Sequence, residues 1–321
     1  MVVVELKQSH IEEACKLFAA SYHFQRELVP ILDESNASVE KIMPMLKNNL
    51  ENYSGVAAVE NGRLLGYMTG MFIQGLLGVN KGVFVPEWAH ASVTNNSFNI
   101  YRSLYQTIGQ QWVDNGCLTH AIQFMSHAQE AQEAFCWNGF GRICIDAVRP
   151  VELINLEVPE GFHITPIQEK DIPILLPLVD GISRHLTKSS AFKPYLEPER
   201  REELNSKLKQ SENYAWMVWA GNETIGYSSV TPNEDGAAWI VNGKCKFAVN
   251  GAYVKPEYRG IGIAKLLLST IMEWAKKEGF IRCSVDFEAT NLEACQFWLK
   301  HFKPVCKSMV RRLDERILKS I

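Results

Sequence analysis

The sequence lacks several features that would assign it to a specialised class of protein. No run of about 18 apolar residues occurs in its 321 residues, so we predict no membrane-spanning helix. The first residues, MVVVELKQSHIEE, have neither a basic flank nor a long apolar run, and we expect no secretory signal in them. No sustained basic block accompanies the net charge of −3, which argues against a nucleic-acid partner.

The eight cysteines lack the spacing of metal ligands or of redox pairs. No two of them form a CxxC pair, and none lies near histidines at the spacing of a zinc site. We therefore expect no metal, and we expect reduced, mostly buried thiols in a cytoplasmic protein. Hydrophobic residues make up 46% of the chain and charged residues 21%, a composition typical of a globular protein with a substantial core.

What the sequence does contain is an internal repeat. YSGVAAVENGRLLGY and YAWMVWAGNETIGY match, with Tyr53 and Tyr214 separated by 214 − 53 = 161 residues and Gly66 and Gly226 by 226 − 66 = 160. LKQSHIEEACKLF matches PIQEKDIPILLPL before them, and GQQWVDNG and EAFCWNGF match MEWAKKEG and ACQFWLKHF after them. Several matches in one order indicate a duplication.

Each half of the repeat predicts the same series of elements. The order is strand, helices, a hairpin, a further strand, a long helix, a strand and a helix, which predicts an α/β fold around a mixed sheet. We therefore predict two domains, residues 1–150 and 151–321, joined within Val151–Gly161.

The second half contains a glycine-rich loop between a strand and a helix. Residues 245–254, CKFAVNGAYV, predict a strand, and Asn250-Gly251 within it predicts a bulge. Beyond the loop, apolar residues recur at helical spacing until Gly279, which is a natural helix end. The loop itself, YRGIGIA, places Arg259, Gly260 and Gly262 directly before this helix.

This loop has the chemistry of an anion-binding cradle. The first amides of a helix have no partner within the helix, and the helix dipole adds partial positive charge there. Gly260 and Gly262 let the backbone approach a ligand closely, and Arg259 adds a full charge. The pattern therefore predicts a site for a phosphate or pyrophosphate.

A strand and a second helix follow the long helix. Ile281, Cys283, Val285 and Phe287 alternate with polar residues, which is the period of a strand. Thr290 and Glu293 have the spacing of a capping box, which predicts that the next helix begins there.

The order of these elements resembles a GNAT-superfamily acetyltransferase domain over roughly residues 161 to 310. The family's pyrophosphate signature, Arg/Gln-x-x-Gly-x-Gly/Ala, maps onto Arg259, Gly262 and Ala264, and its Asn-x-x-Ala helix start maps onto Asn291 and Ala294. By the repeat, the first half resembles a second GNAT-like copy. AHASVTNNSFNIY in that copy carries no such signature, so we expect it to be degenerate and unable to bind coenzyme A.

The resemblance implies a fold, a reaction and a set of binding residues. The fold is α/β (α+β), with two GNAT-like domains, each a mixed, mostly antiparallel twisted sheet flanked by helices. The reaction is acetyl transfer from acetyl-CoA to a primary amine of a small molecule or peptide, by direct attack in the C-terminal domain of a monomer or homodimer. The residues assigned to cofactor binding are Ala252, Tyr253, Val254, Arg259, Gly260, Ile261, Gly262, Ile263, Ala264, Lys265, Asn291 and Phe297.

The candidate catalytic residues include one departure from the family. Many members have a tyrosine four residues after the alanine of the second motif that protonates the leaving thiolate, and this chain has Trp298 there. An indole N–H is a donor only and is far too weak an acid for this role. Asp286 and Glu288 share one strand face and are candidate bases for the acceptor amine, with a solvated or salt-bridged face as the alternative.

Other interpretations of the sequence stay open. We expect His301 to be structural or exposed and Cys283 to be a core residue rather than a nucleophile. Trp298 keeps open a non-catalytic acyl-CoA-binding regulator, and the tandem organisation keeps open an enzyme similar to mycothiol synthase. The residues do not identify the acceptor amine.

Overall fold

The computed structural model describes residues 1–156, 159–195, 206, 214–232 and 238–319. Residues 157 and 158 of the predicted junction lie outside the described residues. The elements of the first half are β1 (Val2–Glu5), α1 (Ile11–Leu28), α2 (Val39–Asn52), β2 (Gly55–Glu60), β3 (Arg63–Thr69), β4 (Met71–Ile73), β5 (Gly82–Val85), β6 (His90–Ser92), α3 (Ser97–Asp114), β7 (Thr119–Met125), α4 (Gln129–Trp137) and β8 (Gly141–Pro150).

The second half has a similar series of elements. They are β9 (Phe162–Pro166), α5 (Ile172–Lys188), β10 (Tyr214–Ala220), β11 (Glu223–Pro232), β12 (Lys246–Val254), α6 (Ile263–Lys277), β13 (Arg282–Glu288), α7 (Leu292–His301) and β14 (Lys303–Arg312). None of the helices within the described ranges combines the length and the apolar character needed to cross a bilayer.

The two hairpins share a structural detail that a duplication explains. Ala58 pairs with Gly66 in the β2–β3 hairpin, and Val218 pairs with Gly226 in the β10–β11 hairpin. The separations are 218 − 58 = 160 and 226 − 66 = 160. Directly after Ala58 and after Val218 the register shifts by a bulge. Two sheets built from one ancestral hairpin would keep such a bulge at the same place.

Contacts divide the chain into two compact units. The first unit contains Met1–Asp146, Ala237–Gly243 and Pro304–Ile321, and the second contains Ala147–Gly236 and Lys244–Lys303. The last strand of the chain, β14, lies antiparallel to β7 in the first unit. The predicted domains follow the repeat rather than these contacts, and their boundary stays a prediction.

Both units contain parallel as well as antiparallel strand pairs, as predicted for a mixed sheet. In the first unit β1, β2, β3 and β6 form one antiparallel sheet, and β5 pairs with β4 in antiparallel and with β7 in parallel fashion. In the second unit the order is β13-β12-β11-β10-β9, and only the β12–β13 pair is parallel. Helix α5 contacts β11 and β12, and α6 contacts β10, β11 and β12.

A buried carboxyl group holds the segment around Ile240 in the first unit. Oε1 of Glu87, a residue that is 1% exposed, accepts the backbone N–H of Ile240 at 2.7 Å. The Asn36 side-chain amide donates to the Asn242 carbonyl at 2.9 Å. Burial raises the pKa of Glu87 to about 7, although backbone N–H groups of Ile240 and Trp239 oppose the shift.

Candidate functional site

The site of the second unit begins where two paired strands separate. The parallel pairing of β12 with β13 ends at Val249 opposite Val285. On its other edge β12 stays paired with β11 as far as Val254. Residues 252–254 therefore have no backbone partner on the β13 side within the described chain, and a cleft opens between the two strands.

A bulge in β12 marks the narrow end of this cleft. Ser229 pairs with Gly251 and Val230 pairs with Val249, so Asn250 is the extra residue, and the predicted bulge is confirmed. The Asn250 side-chain oxygen accepts a hydrogen bond from the Ser229 hydroxyl at 2.8 Å. A Cβ on Gly251 would lie 2.6 Å from the Ser229 hydroxyl oxygen, so a larger residue there would displace this hydroxyl from its bond to Asn250.

Unpartnered backbone amides lie at the wide end of the cleft. Gly260 and Gly262 have φ angles of 79° and 97°, in the left-handed region that favours glycine, and Gly262 is the N-cap of α6. The first bond into the helix runs from the Leu266 N–H to the Gly262 carbonyl at 3.0 Å. No acceptor among the described residues bonds the amides from Gly260 to Lys265. These amides and the helix dipole suit an anion.

Arg259 is positioned beside these amides by contacts with β12. Its Nε donates to the Val254 carbonyl at 3.0 Å, and its guanidinium lies 5.5 Å from the centre of the Tyr253 ring. Its Nη1 is 3.8 Å from a Glu293 carboxylate oxygen, which is a weak, long contact. Because arginine has five N–H donors, most of them remain available to a phosphate.

The helix on the far side of the cleft begins one residue later than the capping-box prediction. The N-cap of α7 is Asn291, whose side-chain oxygen accepts the Ala294 N–H at 3.4 Å. The predicted box of Thr290 and Glu293 is wrong, because an N-cap at Asn291 places Glu293 at the second helical position. There its carboxylate lies on the side of Arg259.

Strand β13 is buried on both faces over its first half. Cys283, Val285 and Phe287 are buried as predicted, and burial raises the pKa of the Cys283 thiol. The polar residues Arg282 and Ser284 between them are also buried, at 1% and 4% exposure, which the alternation does not show. A strand at a parallel pairing inside a covered sheet has no solvated face.

The two candidate carboxylates lie at the end of β13. Glu288 forms an ion pair with Lys193, which follows α5. Asp286 is exposed, and both carboxylates line the cleft. The Glu288 carboxylate is thus already engaged by a cation at the edge of the cleft.

Trp298 lies in the wall of the cleft, packed among aromatic rings. It is 9% exposed, and its ring centre is 4.8 Å from that of Phe297 and 5.3 Å from that of Phe302. No acceptor in the described part of the chain bonds its indole N–H. His301 also lines the cleft, and burial together with the cations Arg149, Lys300 and Lys265 lowers its pKa.

The cleft has a volume of about 760 Å³ and brings together most of the predicted residues. Ile261 and Ile263 do not line it, since the Ile263 side chain is buried in the core and the Ile261 side chain is exposed. The predicted residues that line the cleft are Ala252, Tyr253, Val254, Arg259, Gly260, Gly262, Ala264, Lys265, Asp286, Glu288, Asn291, Phe297 and Trp298.

One wall of the cleft, formed by helix α5, was not anticipated from the sequence. Ile182, His185 and Leu186 line the cleft, at the i, i+3, i+4 spacing of one helix face. The His185 Nε2 lies 3.4 Å from the Asn291 side-chain oxygen. The spacing alone shows that these residues share a face, but it does not show which partner that face meets.

The equivalent opening in the first unit is filled by its own side chains. The parallel pairing of β5 with β7 ends at Val85 opposite Ile122. The next carbonyl of β7, that of Gln123, bonds the His90 Nε2 at 2.7 Å, and the His90 Nδ1 bonds the Tyr101 hydroxyl at 2.7 Å. Burial lowers the pKa of His90 to about 4, so the ring is neutral and bridges these groups near pH 7.

The helix start in the first unit is also occupied. The Phe98 N–H at the start of α3 donates to a Glu130 carboxylate oxygen at 3.4 Å. A carboxylate at this helix N-terminus repels a phosphate. Within the described residues no group of three or more His, Cys, Asp or Glu is placed to hold a metal ion in either unit.

Comparisons with known proteins agree with this geometry. Streptothricin acetyltransferase A of Bacillus subtilis (strain 168) is 26% identical over 116 residues, which are 36% of this chain and 62% of that protein. Aminoglycoside N(6')-acetyltransferase type 1 of Stenotrophomonas maltophilia is 28% identical over 97 residues, which are 29% of this chain and 61% of that protein. The chain thus spans less than two thirds of the length of these relatives.

The fold extends over the whole chain in a solved structure. A GCN5-related N-acetyltransferase from Sphaerobacter thermophilus superposes with a TM-score of 0.61 at 14% identity, covering 97% of this chain and 95% of that one. The model of the Acetyltransferase (GNAT) family matches residues 183–302, which include the cleft, the glycine loop and α7. Residues 183–302 are therefore similar to the GNAT acetyltransferase family.

Proposed function

We propose that the protein transfers an acetyl group from acetyl-CoA to a primary amine, with the chemistry in the predicted C-terminal domain, residues 151–321. The observation that carries this proposal is the separation of β12 from β13 beside a row of unpartnered amides, Gly260 to Lys265. A linear, pyrophosphate-bearing thioester has a charged end for the amides and a chain of amide groups for the exposed strand edge.

Different residues of the cleft would bind different parts of acetyl-CoA. Arg259 and the loop amides would hold the pyrophosphate through charge-assisted hydrogen bonds. The backbone of Ala252, Tyr253 and Val254 would pair with the pantetheine arm in the manner of an added strand. Asn291 and the Phe297 ring line the opposite wall.

The chain promotes the reaction mainly by positioning. Acetyl-CoA supplies an activated acyl group, so the protein needs only to hold the thioester and the amine together for direct attack. A backbone N–H of the separated strand is positioned to stabilise the developing oxyanion. Because no acidic side chain takes the place of the family's tyrosine, the sulfur leaves as a thiolate.

The acceptor in this proposal is an amine of a small molecule. The two relatives are named for streptothricin and for aminoglycosides, which supports a small-molecule amine rather than a peptide. The predicted N-terminal domain would shape the acceptor site or stabilise the whole. All eight cysteines are free thiols, which supports the cytoplasm as the compartment.

A broad amine panel tests the proposed reaction. We expect thiol release from acetyl-CoA that depends on an amine, with an acetylated amine detected by mass spectrometry. Amino acids, polyamines, aminoglycosides and short peptides cover the acceptor classes. Tight binding of acetyl-CoA without transfer to any of them would instead support an acyl-CoA-binding regulator.

One molecule of acetyl-CoA is expected to bind per chain. The second unit has an open cleft, whereas in the first unit His90 bridges the equivalent opening and Glu130 occupies the helix start. Isothermal titration calorimetry measures this stoichiometry directly. Two equal sites per chain would contradict the expected asymmetry between the halves.

Replacement of Trp298 by phenylalanine is expected to reduce turnover by less than about tenfold. The change removes packing and one unpaired N–H, worth at most about one weak hydrogen bond. A thiol of ordinary pKa, about 8.5, is a tolerable leaving group near pH 7 without an acid. Trp298→Tyr should retain activity or increase it. A thousandfold loss in Trp298→Phe would show that the indole is essential.

A further inference from the structure

The carboxylates of the cleft are poorly placed to take a proton from the acceptor amine. Glu288 is paired with Lys193, and Glu293 lies 3.8 Å from the Arg259 guanidinium. Asp286 is exposed and also has an interaction partner. Each of these carboxylates would have to give up an existing partner before its oxygens could contact the acceptor amine. A different group in the cleft has the required chemistry.

His185 is a partly buried imidazole in the wall formed by α5. Its Nε2 lies 3.4 Å from the Asn291 side-chain oxygen, and it forms no ion pair with any described residue. Gly181, one turn earlier, allows α5 to approach the sheet, because a Cβ there would lie 2.6 Å from the Tyr253 ring. The histidine is thereby placed between the separated strand and the start of α7.

The contact with Asn291 determines which nitrogen of His185 carries the proton. The Asn291 oxygen is identified by its bond from the Ala294 N–H, since an N-cap side chain accepts with its oxygen. An amide oxygen accepts hydrogen bonds and does not donate them, so the Nε2 of His185 must be the donor. In the neutral ring Nδ1 then has the lone pair and is the basic atom.

We propose that His185 is the proton acceptor in acetyl transfer, with Asn291 as the residue that selects its tautomer. This role rests on the proposed function. The amine nitrogen forms a C–N bond to the thioester carbon, and the C–S bond breaks to release the coenzyme A thiolate. The proton lost by the amine nitrogen moves to Nδ1 of His185 and passes from there to solvent. No oxidant, metal or further reactant is needed.

Several titratable groups share the cleft with His185, and its lining also includes Arg259, Lys265, Asp286, Glu293, Lys300 and His301. Helix α5 packs on β11 and β12, from which Tyr227 and Tyr253 face the cleft, and β13 contributes Glu288 with its partner Lys193. Burial raises the pKa of Tyr227 above its ordinary range, so this group stays neutral across the working range. Imidazole is the side chain whose titration falls between pH 5 and 8. His301 is a second imidazole in the cleft, so it is the change in the pH profile on replacing His185 that reports on His185.

His185→Gln separates the base from the hydrogen bond to Asn291. Glutamine keeps an N–H donor for the Asn291 oxygen but has no basic nitrogen. We expect kcat to fall by about 100-fold or more while the acetyl-CoA dissociation constant stays unchanged. The limb of the kcat/KM profile near neutral pH should disappear. His163→Gln is the matched control, because His163 stacks on Trp219 outside the cleft, and its activity should equal that of the unaltered protein.

His185→Ala with added imidazole provides a second measurement. Free imidazole should restore part of the lost rate if a base is missing, and circular dichroism confirms the fold. A His185→Gln protein with kcat within tenfold and an unchanged pH profile would overturn the role of His185 alone. A loss of acetyl-CoA affinity without a loss of kcat would overturn it too, because His185 would then only position the cofactor. No transfer by the unaltered protein, with acetyl-CoA bound, would overturn the proposed function and this role with it.

Discussion

Arg259→Ala is expected to weaken acetyl-CoA binding by about 10- to 100-fold without unfolding the protein. Hydrogen bonds to a charged group contribute about 1.5–3 kcal/mol, and removal of the guanidinium leaves the pyrophosphate with backbone amides alone. The side chain is held by the Val254 carbonyl and the Tyr253 ring, so its donors are already oriented before the ligand arrives. Calorimetric titration of the variant with acetyl-CoA measures the change.

Arg316→Ala is the matched control for this experiment. It removes the same charge from an exposed arginine that pairs with Asp314 outside the cleft, so acetyl-CoA affinity should not change. An unchanged affinity in a folded Arg259→Ala protein would contradict the assignment of the glycine loop as the pyrophosphate site. The salt dependence of binding should also decrease in Arg259→Ala, because one fewer cation meets the ligand.

Glu87→Gln is expected to stabilise the protein above neutral pH by about 2–3 kcal/mol. Burial raises the pKa of Glu87 from 4.5 to about 7, so the folded state favours the protonated form. The unfolded chain releases this proton at lower pH, and the stability of the unaltered protein therefore falls as pH rises from about 4.5 to 7. Glutamine keeps the oxygen that accepts the Ile240 N–H and has no charge to bury.

Urea unfolding at pH 5 and pH 8 tests whether the protonation of Glu87 is coupled to the stability of the protein. The variant should gain stability over the unaltered protein at pH 8, with a much smaller difference at pH 5. Glu257→Gln serves as the control, because Glu257 follows a proline as Glu87 does but is exposed. Neutralising it removes no buried charge. Equal destabilisation of Glu87→Gln at both pH values would show that the carboxylate is a fixed structural anion in the folded protein.

The sequence alone was sufficient for the elements that carry the cofactor site. Local rules act over a few residues, and they correctly predicted the bulge at Asn250-Gly251, the glycine loop and the helix that ends shortly before Gly279. The bulge follows from a glycine inside a strand, and the loop follows from glycines that adopt φ angles disfavoured for other residues. The GNAT family could be named from these residues because their order along the chain is itself the signature.

Burial and the exact start of a helix were not predicted from the sequence, because burial depends on residues far along the chain. Alternation in β13 correctly predicted a strand, but it could not show that Arg282 and Ser284 are buried, because that depends on what covers each side of the sheet. Thr290 and Glu293 have the spacing of a capping box, but the N-cap of α7 is Asn291. Thr290 and Asn291 are both residue types that cap helices, and sequence spacing does not distinguish two adjacent candidates.

The tertiary structure alone placed α5 on the cleft and β14 in the first unit. The sequence determined that Ile182, His185 and Leu186 share a helix face, since that depends on 3.6 residues per turn. Which strands that face meets depends on packing between segments far apart in sequence, and so does the pairing of Lys193 with Glu288. Periodicity specifies a face but not its partner, because many apolar faces in one chain are compatible with each other and only the packed core selects among them.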